Sequence, residues 1–317
     1  MAAVAPASGT QYTIAEGPYR AEIASVGASL RTLTHDGRDL VLGFDADEVR
    51  PGFRGTTLAP WPNRIVDGVY TFDGVEYETA RTDAGGRANA LHGLASWLDF
   101  DVVAHDGSSV TLAAIVVPRT GYPWRIRVET TYALGADGLT QTVVQANESA
   151  DAAPLGTGPH PYLVAGPGAL DTWTFELPAA QVLEVTDGQM VPVALRSVTD
   201  DAERFDRRAP RVLGGVQIDH AFTGLERDAD GVATVRVSDP SGVGVEMAFG
   251  ADCPWVQVYT GDLPGGAATP GNRAGIAVEP MTCGPDAFNA HKYDYDTGLQ
   301  VVAPGAALTA SWRIAAI

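Results

Sequence analysis

The chain has 317 residues, 45% of them hydrophobic and 19% charged, and carries a formal net charge of −18. Such a charge argues against nucleic acid and anionic membrane as partners, because both are held by clustered Lys and Arg. The two cysteines, Cys253 and Cys283, are too few for a disulfide framework or a structural zinc site and read as reduced, buried thiols.

The opening run MAAVAPASGTQYT has no basic segment and no sustained apolar core. No stretch approaches the roughly 20 apolar residues that cross a bilayer, so a soluble, cytoplasmic protein is expected. The 36 Gly and 21 Pro are spread along the chain, which suits many short strands joined by turns. Alternation predicts a hairpin from 11–15 and 19–26 around Gly17-Pro18, then strands at 30–34 and 40–42 about the turn His35-Asp36-Gly37. The segment 51–66, PGFRGTTLAPWPNRIV, breaks the alternation and reads as a long structured loop of the kind that carries function on a rigid scaffold. Asp73-Gly74 between alternating runs at 69–72 and 75–78 is a strong hairpin signal.

Further strands are expected at 97–104, 109–117, 124–134 and 139–147, with His105 as a solvated turn residue. A second interruption, PLGTGPHPYL at 154–163, sets His160 between two prolines. Shorter strands follow at 172–177, 181–185 and 191–198, then a charged irregular stretch to Arg211. The segment QIDHAF at 217–222 leads into strands at 232–238, 244–249 and 255–259. A Gly/Pro-rich loop, 261–273, delivers the chain to GIAVEPMTCGPDAFN at 275–289. There an apolar strand ends on Glu279 and is stopped by Pro280, since proline fixes its own φ and restricts the residue before it. A turn at 284–286, a loop and two last strands in 298–315 complete the chain. The fold class expected is all-β, one large antiparallel β-sandwich spanning 1–317, with no interdomain linker.

Asn63-Arg64, His92, His160 and Asp219 are polar residues set among apolar, Pro or Gly neighbours in four separate breaks of the strand pattern. Each has an ordinary structural explanation alone, and a Glu at a strand end most often points to water. His220 is assigned to the structural side because neighbouring strand residues face opposite ways, and His291 to the surface. A metal is a minor alternative: H-x-H, H-x-x-x-H and H-E-x-x-H are absent, as are G-x-S-x-G and a phosphate-cradling glycine loop. No metal and no cofactor are expected.

PWPNRIVDGVYTFDGVEYE, NALHGL, TGPHPYL, QIDHAF and GIAVEPMTCGPDAFN, in that order and at similar spacing, resemble the motifs of aldose 1-epimerases, the galactose mutarotase family. The resemblance runs from about residue 54 to the end. It implies the large mutarotase-like β-sandwich (a supersandwich) and a role for each matching position. Glu279 corresponds to the general base, His160 to the general acid and His92 to a second active-site histidine near the ring oxygen. Arg64, with Asn63, and Asp219 correspond to residues that bond sugar hydroxyls. Met281 departs from the glutamine found in many members, and Trp255 is bulky beside the expected pocket. The chemistry agrees: opening a pyranose needs one proton taken from the anomeric hydroxyl and one given to the ring oxygen, by a base and an acid with modest pKa shifts. Trp61 or Trp255 is expected to offer a stacking face. The reading is an isomerase acting on a small sugar, as a monomer or homodimer. The alternatives are an epimerase for an anionic hexose, using Arg54, Arg64 and Arg87, and a non-catalytic sugar-binding protein on the same fold.

Overall fold

The strand Ile126–Gly135 buries every second side chain, with Ile126, Val128, Thr130, Tyr132 and Leu134 inward and Arg127, Glu129 and Thr131 half-exposed. This two-residue period commits one face of a sheet to the core. It recurs through a computed structural model that describes residues 5–317; Met1–Val4, the first part of the N-terminal run read above, lie outside it.

Two large antiparallel sheets form a β-sandwich. One has nine strands, centred on Ile126–Gly135, Gly138–Asn147 and Ala307–Ala316. The other has six, in the spatial order Tyr162–Leu163, Ile276–Met281, Trp255–Tyr259, Asp219–Leu225, Ala179–Val185, Pro192–Ser197. Val128, Val143, Val235, Met247 and Ile314 of the first share one buried cluster with Phe222, Val256, Val258 and Val278 of the second. The opposite face of the six-stranded sheet carries a small separate cluster, Leu183, Ala221, Trp255 and Met281. By alternation Asp219, Gln257 and Glu279 belong to that second face, away from the main core.

The expected hairpins form. Gln11–Glu16 pairs with Tyr19–Ala24, and Val69–Phe72 with Val75–Glu78 across Asp73 and Gly74, both at positive φ. Four expectations shift. The strand after Ser29–His35 is Arg38–Asp39, because Asp36 and Gly37 at positive φ close a tight turn earlier than 40–42. The strand placed at 97–104 begins at Asp101, which leaves Trp97 in a turn and makes His105 its last residue. The stretch after Asp286 is a 3-10 helix, Ala287–Lys292, and not a loop. Pro280 does not stop its strand, which runs Ile276–Met281. Val278 N donates to Pro161 O and Thr282 N to Thr157 O, so alternate amides face away from the Trp255–Tyr259 neighbour. Proline's missing N–H falls on that side, and the pairing of Val256 with Pro280 and Trp255 with Met281 continues undisturbed.

Backbone crossings bring the loops over the second face. Gly93 lies against Ala59, whose carbonyl accepts from Leu94 N and Ala95 N. Its φ is +72°, and a Cβ there would sit 2.2 Å from that carbonyl oxygen. Gly93→Ala should therefore lower unfolding free energy by about 2–3 kcal/mol or more, from a strained φ plus a clash with backbone that cannot move aside. Urea unfolding followed by far-UV circular dichroism checks this, and an unchanged midpoint would contradict it.

Candidate active site

Glu279 sits opposite Gln257 in the ladder, and its side chain is almost fully buried. His160 occupies the break between the short strands Gly158–Pro159 and Tyr162–Leu163, and its carbonyl accepts from Gly55 N. The two meet with Nε2 3.4 Å from Oε1. The imidazole stacks with Tyr162, at 5.3 Å and 25°, and with Phe53, at 6.2 Å and 26°. Two buried polar atoms at this centre, Glu279 Oε2 and His160 Nδ1, have no hydrogen-bond partner. Each such orphan costs on the order of 1–3 kcal/mol, and functional sites are where that cost is tolerated.

Dryness decides the protonation. Burial, reinforced by the Asp219 carboxylate, pushes the Glu279 carboxyl well above the usual range, and Arg64 offsets this only in part. Burial brings His160 down to about 3 and His92 well below an ordinary imidazole. The expectation of modest shifts is overturned because both groups lose nearly all contact with water. Both shifts favour the uncharged forms, a protonated carboxyl and neutral imidazoles.

His92 stands 5.0 Å from the His160 ring and 4.7 Å from Phe53, centroid to centroid. Its own φ is +60° and that of Asn63 is +53°. His92 N donates to Asn63 O at 2.8 Å, and Asn63 N donates to His92 Nδ1 at 3.2 Å. An Nδ1 that accepts from an amide carries no proton, so the neutral ring keeps its proton on Nε2 as a standing donor. His92, His160 and Glu279 place ligand atoms within 4.8 Å of one another, a grouping that on distance alone suits a metal. The locked tautomer fits poorly: the nitrogen of His92 left to face an ion is the protonated one.

A polar wall continues from Asn63. Arg64 Nε donates to Asp83 at 2.7 Å, and Arg87 approaches the same carboxylate at 3.7 Å. Burial would raise Asp83, but Arg64, Asn89 and Arg87 outweigh it and hold the carboxyl below its usual range. Asn63 Nδ2 donates to Gln257 Oε1 at 3.1 Å, and Gln257 Nε2 donates to Asp219 Oδ1 at 2.7 Å. Burial raises Asp219, against the pull of Arg64, Arg87 and Gln257. Asp286 fastens the arginine's strand to the segment after Glu279: its N–H donates to Arg64 O and its carboxylate accepts from Val66 N.

Glu279, His160, His92, Asn63, Arg64 and Asp219 are thus brought together from separate parts of the chain. Trp255 is not open to a ligand: it is 1% exposed, packed with Met281 and Leu183, beside Gly284 and 5.9 Å from Tyr295. Trp61 is buried against Tyr122 and Phe288. Neither offers the expected stacking face, because each fills a space between elements that no sequence pattern discloses. Met281 is fully buried as well. His220 turns the other way, edge-on to Phe205 at 4.8 Å, and burial brings it down to about 4. His291 is exposed. The three arginines do not form one cluster: Arg64 and Arg87 share Asp83, while Arg54 bonds Gly43 O and lies over Tyr162. A cavity of about 520 Å³ opens beyond Asp219, lined by Val182, Val185, Met190, Phe205 and His220, and contains neither Glu279 nor His160.

Asp83, Gln257 and Phe53 escape sequence reasoning. Gln257 left one trace, a lone amide in the apolar strand WVQVY. Asp83 lies among polar neighbours, and Phe53 looks like any loop aromatic.

A family model described as Aldose 1-epimerase matches residues 10–315. The chain is 35% identical over 284 residues to the Escherichia coli (strain K12) protein YihR, described as uncharacterized, covering 89% of this chain and 87% of that one. It is 28% identical over 307 residues to galactose mutarotase of Bos taurus, covering 85% and 84%. The solved structure of a putative aldose 1-epimerase from Escherichia coli K12 has a TM-score of 0.81 at 21% identity, covering 97% of this chain and 99% of that one, a likeness of fold.

Exhaustive dialysis against EDTA is expected to leave sugar turnover unchanged, and titration with Zn²⁺ or Mn²⁺ to give no one-to-one binding heat. Stoichiometric binding lost in His92→Ala would overturn the tautomer argument.

Proposed function

We propose that this chain, which belongs to the aldose 1-epimerase family of isomerases, interconverts the α and β anomers of a free hexose by acid–base ring opening and closure. The observation that carries the reading is the Glu279–His160 pair: 3.4 Å apart and buried, with an unpartnered carboxyl oxygen and ring nitrogen.

In the proposed cycle the pair shares one proton, and its transfer from carboxyl to imidazole readies Glu279 as base and His160 as acid. Glu279 then takes the proton of the anomeric hydroxyl as His160 protonates the ring oxygen, and the C1–O5 bond breaks to the open-chain aldehyde. Rotation about C1–C2 presents the other carbonyl face. His160 takes the O5 proton back, Glu279 returns one to O1, and return of the imidazole's proton to the carboxyl restores the starting pair. Each assisted proton transfer contributes on the order of 10²–10⁴-fold. His92, locked as an Nε2–H donor, stabilises an oxygen without titrating, while Arg64, Asn63 and Asp219 orient hydroxyls. Paired charges on this wall, Arg64 and Arg87 against Asp83, suit a neutral sugar better than an anionic one.

Polarimetry on fresh α-glucose and α-galactose tests the reaction, with glucose 6-phosphate and sulfoquinovose as anionic comparisons. Glu279→Gln should cut kcat/KM about 10²–10⁴-fold with the fold intact. Near-wild-type rates on every accepted sugar would remove Glu279 as base. His160→Asn should be comparably impaired; a silent His160→Asn beside a dead His92→Asn would transfer the acid role to His92.

The pH profile follows from the shifts. A second proton reaches the pair only when His160 titrates, near 3, and the pair loses its one proton only above the raised pKa of Glu279. The acid limb of kcat/KM should therefore lie far below 6.5, the ordinary imidazole value. A half-loss at that ordinary value would show that a solvated histidine controls the rate.

A further inference from the structure

The cavity beyond Asp219 lies at a fork in the six-stranded sheet. Ala179–Val185 pairs with Asp219–Leu225 only from Ala179, opposite Leu225, to Val182, opposite Phe222. Past that point each strand keeps its outer neighbour alone. Leu183, Glu184 and Val185 stay on Pro192–Ser197, and Asp219, His220 and Ala221 stay on Trp255–Tyr259. The parted strand ends, with the 3-10 helix Val198–Asp201 and the helical turn Ala202–Phe205, enclose the space of about 520 Å³. At the fork Asp219 N donates to Nδ1 of His220 at 3.2 Å. That bond fixes the proton of the neutral imidazole on Nε2, which bonds nothing among the described residues and is a free donor on the cavity wall.

Apolar and charged groups are segregated around this space. Val182 is buried, and Val185, Met190 and Phe205 are half-buried, which gives an apolar lining. The rim is exposed and acidic, with Glu184, Asp187, Asp200 and Asp201 against Arg196 and Arg204. Both guanidiniums are engaged. Arg196 Nε donates to Glu184 at 2.8 Å, and Arg204 Nε donates to Gln217 O while its guanidinium lies 4.8 Å over the Phe205 ring. Asp201 accepts from Arg204 N. Asp187 and Asp200 are left over: among the described residues neither carboxylate accepts a hydrogen bond or meets a cation. An apolar cleft with a few fixed polar groups is the usual form of a small-molecule site, and a rim of one sign selects the opposite charge.

We propose that this fork is a second small-molecule site, separate from the sugar site, and that it takes an organic ammonium ion with an apolar body and one acceptor oxygen. The ammonium group answers the uncommitted carboxylates of Asp187 and Asp200. The body lies on Val185, Met190 and Phe205, and the oxygen accepts from His220 Nε2. A carboxylate of the same shape is repelled at the rim.

Calorimetric titration of the full chain with four probes tests this. Tyramine carries all three features, phenethylamine lacks the oxygen, 4-ethylphenol lacks the charge, and 3-(4-hydroxyphenyl)propionate reverses it. Tyramine should bind one-to-one, about tenfold or more tighter than 4-ethylphenol and the propionate, and tighter than phenethylamine. The double variant Asp187→Asn, Asp200→Asn changes two exposed side chains; it should weaken tyramine about tenfold and leave 4-ethylphenol unchanged. Asp187→Lys with Asp200→Lys should turn the preference toward the propionate. Saturating galactose should leave the affinity for tyramine unchanged. Absence of tyramine binding, equal affinity for the charged and uncharged probes, an unaltered affinity in the folded Asn variant, or competitive displacement by galactose overturns the site. Equal affinity for tyramine and phenethylamine removes His220 from it. No outcome depends on sugar turnover, so this site and the mutarotase reading stand or fall separately.

Discussion

A carboxyl and an imidazole are held 3.4 Å apart where almost no water reaches, and burial favours the uncharged form of each. Separate ionisation of either group would leave a charge in a low-dielectric space at a cost of several kcal/mol, so the pair stays neutral as a unit. Most of the surrounding structure serves this condition. The antiparallel register sets Glu279 against Gln257, the prolines around His160 open the strand pattern there, and Phe53 and Tyr162 close over the ring. Moving a proton within such a pair changes no net charge, so the proposed proton transfers would require little reorganisation of solvent.

The same economy governs the polar wall. The chain as a whole is strongly acidic, yet the charges near Glu279 are balanced locally by Arg64, Asp83 and Arg87. Two amides, Asn63 and Gln257, link the arginine to Asp219 by hydrogen bonds whose donors and acceptors are fully assigned. A wall of this kind presents fixed dipoles at fixed places. Unpartnered buried atoms lie at Glu279 Oε2 and His160 Nδ1, and one more, Asp83 Oδ1, lies in the wall, where Arg87 approaches it at 3.7 Å.

Much of this was legible beforehand because it depends on local chemistry. Alternation placed most of the long strands but not the two- and three-residue ones such as Thr57–Leu58, Arg64–Ile65 and Gly158–Pro159, Asp-Gly placed the hairpin at 73–74, and the histidines stood out because prolines and glycines break the pattern around them. Pro280 misled because its effect depends on which side of the strand its missing N–H falls, and that is a matter of neighbours. Trp255 and Trp61 misled for a similar reason: an indole beside a site is a stacking face or a filler according to what lies above it. Gln257 was the most nearly recoverable omission, being an amide in an apolar strand with no local partner. Phe53 was not recoverable, since its position over two histidines depends on a left-handed turn and on contacts more than a hundred residues away.

By itself the sequence determined the all-β architecture, the breaks in it, and the residue types available for acid–base work, because hydrophobic period and turn chemistry act over a few residues. Only the tertiary structure decided that burial raises Glu279, that Nδ1 of His92 accepts from Asn63 N, and that Phe53 packs against both histidines. Those outcomes depend on burial and on distances between segments far apart in the chain, and a pKa or a tautomer is a property of that shared environment.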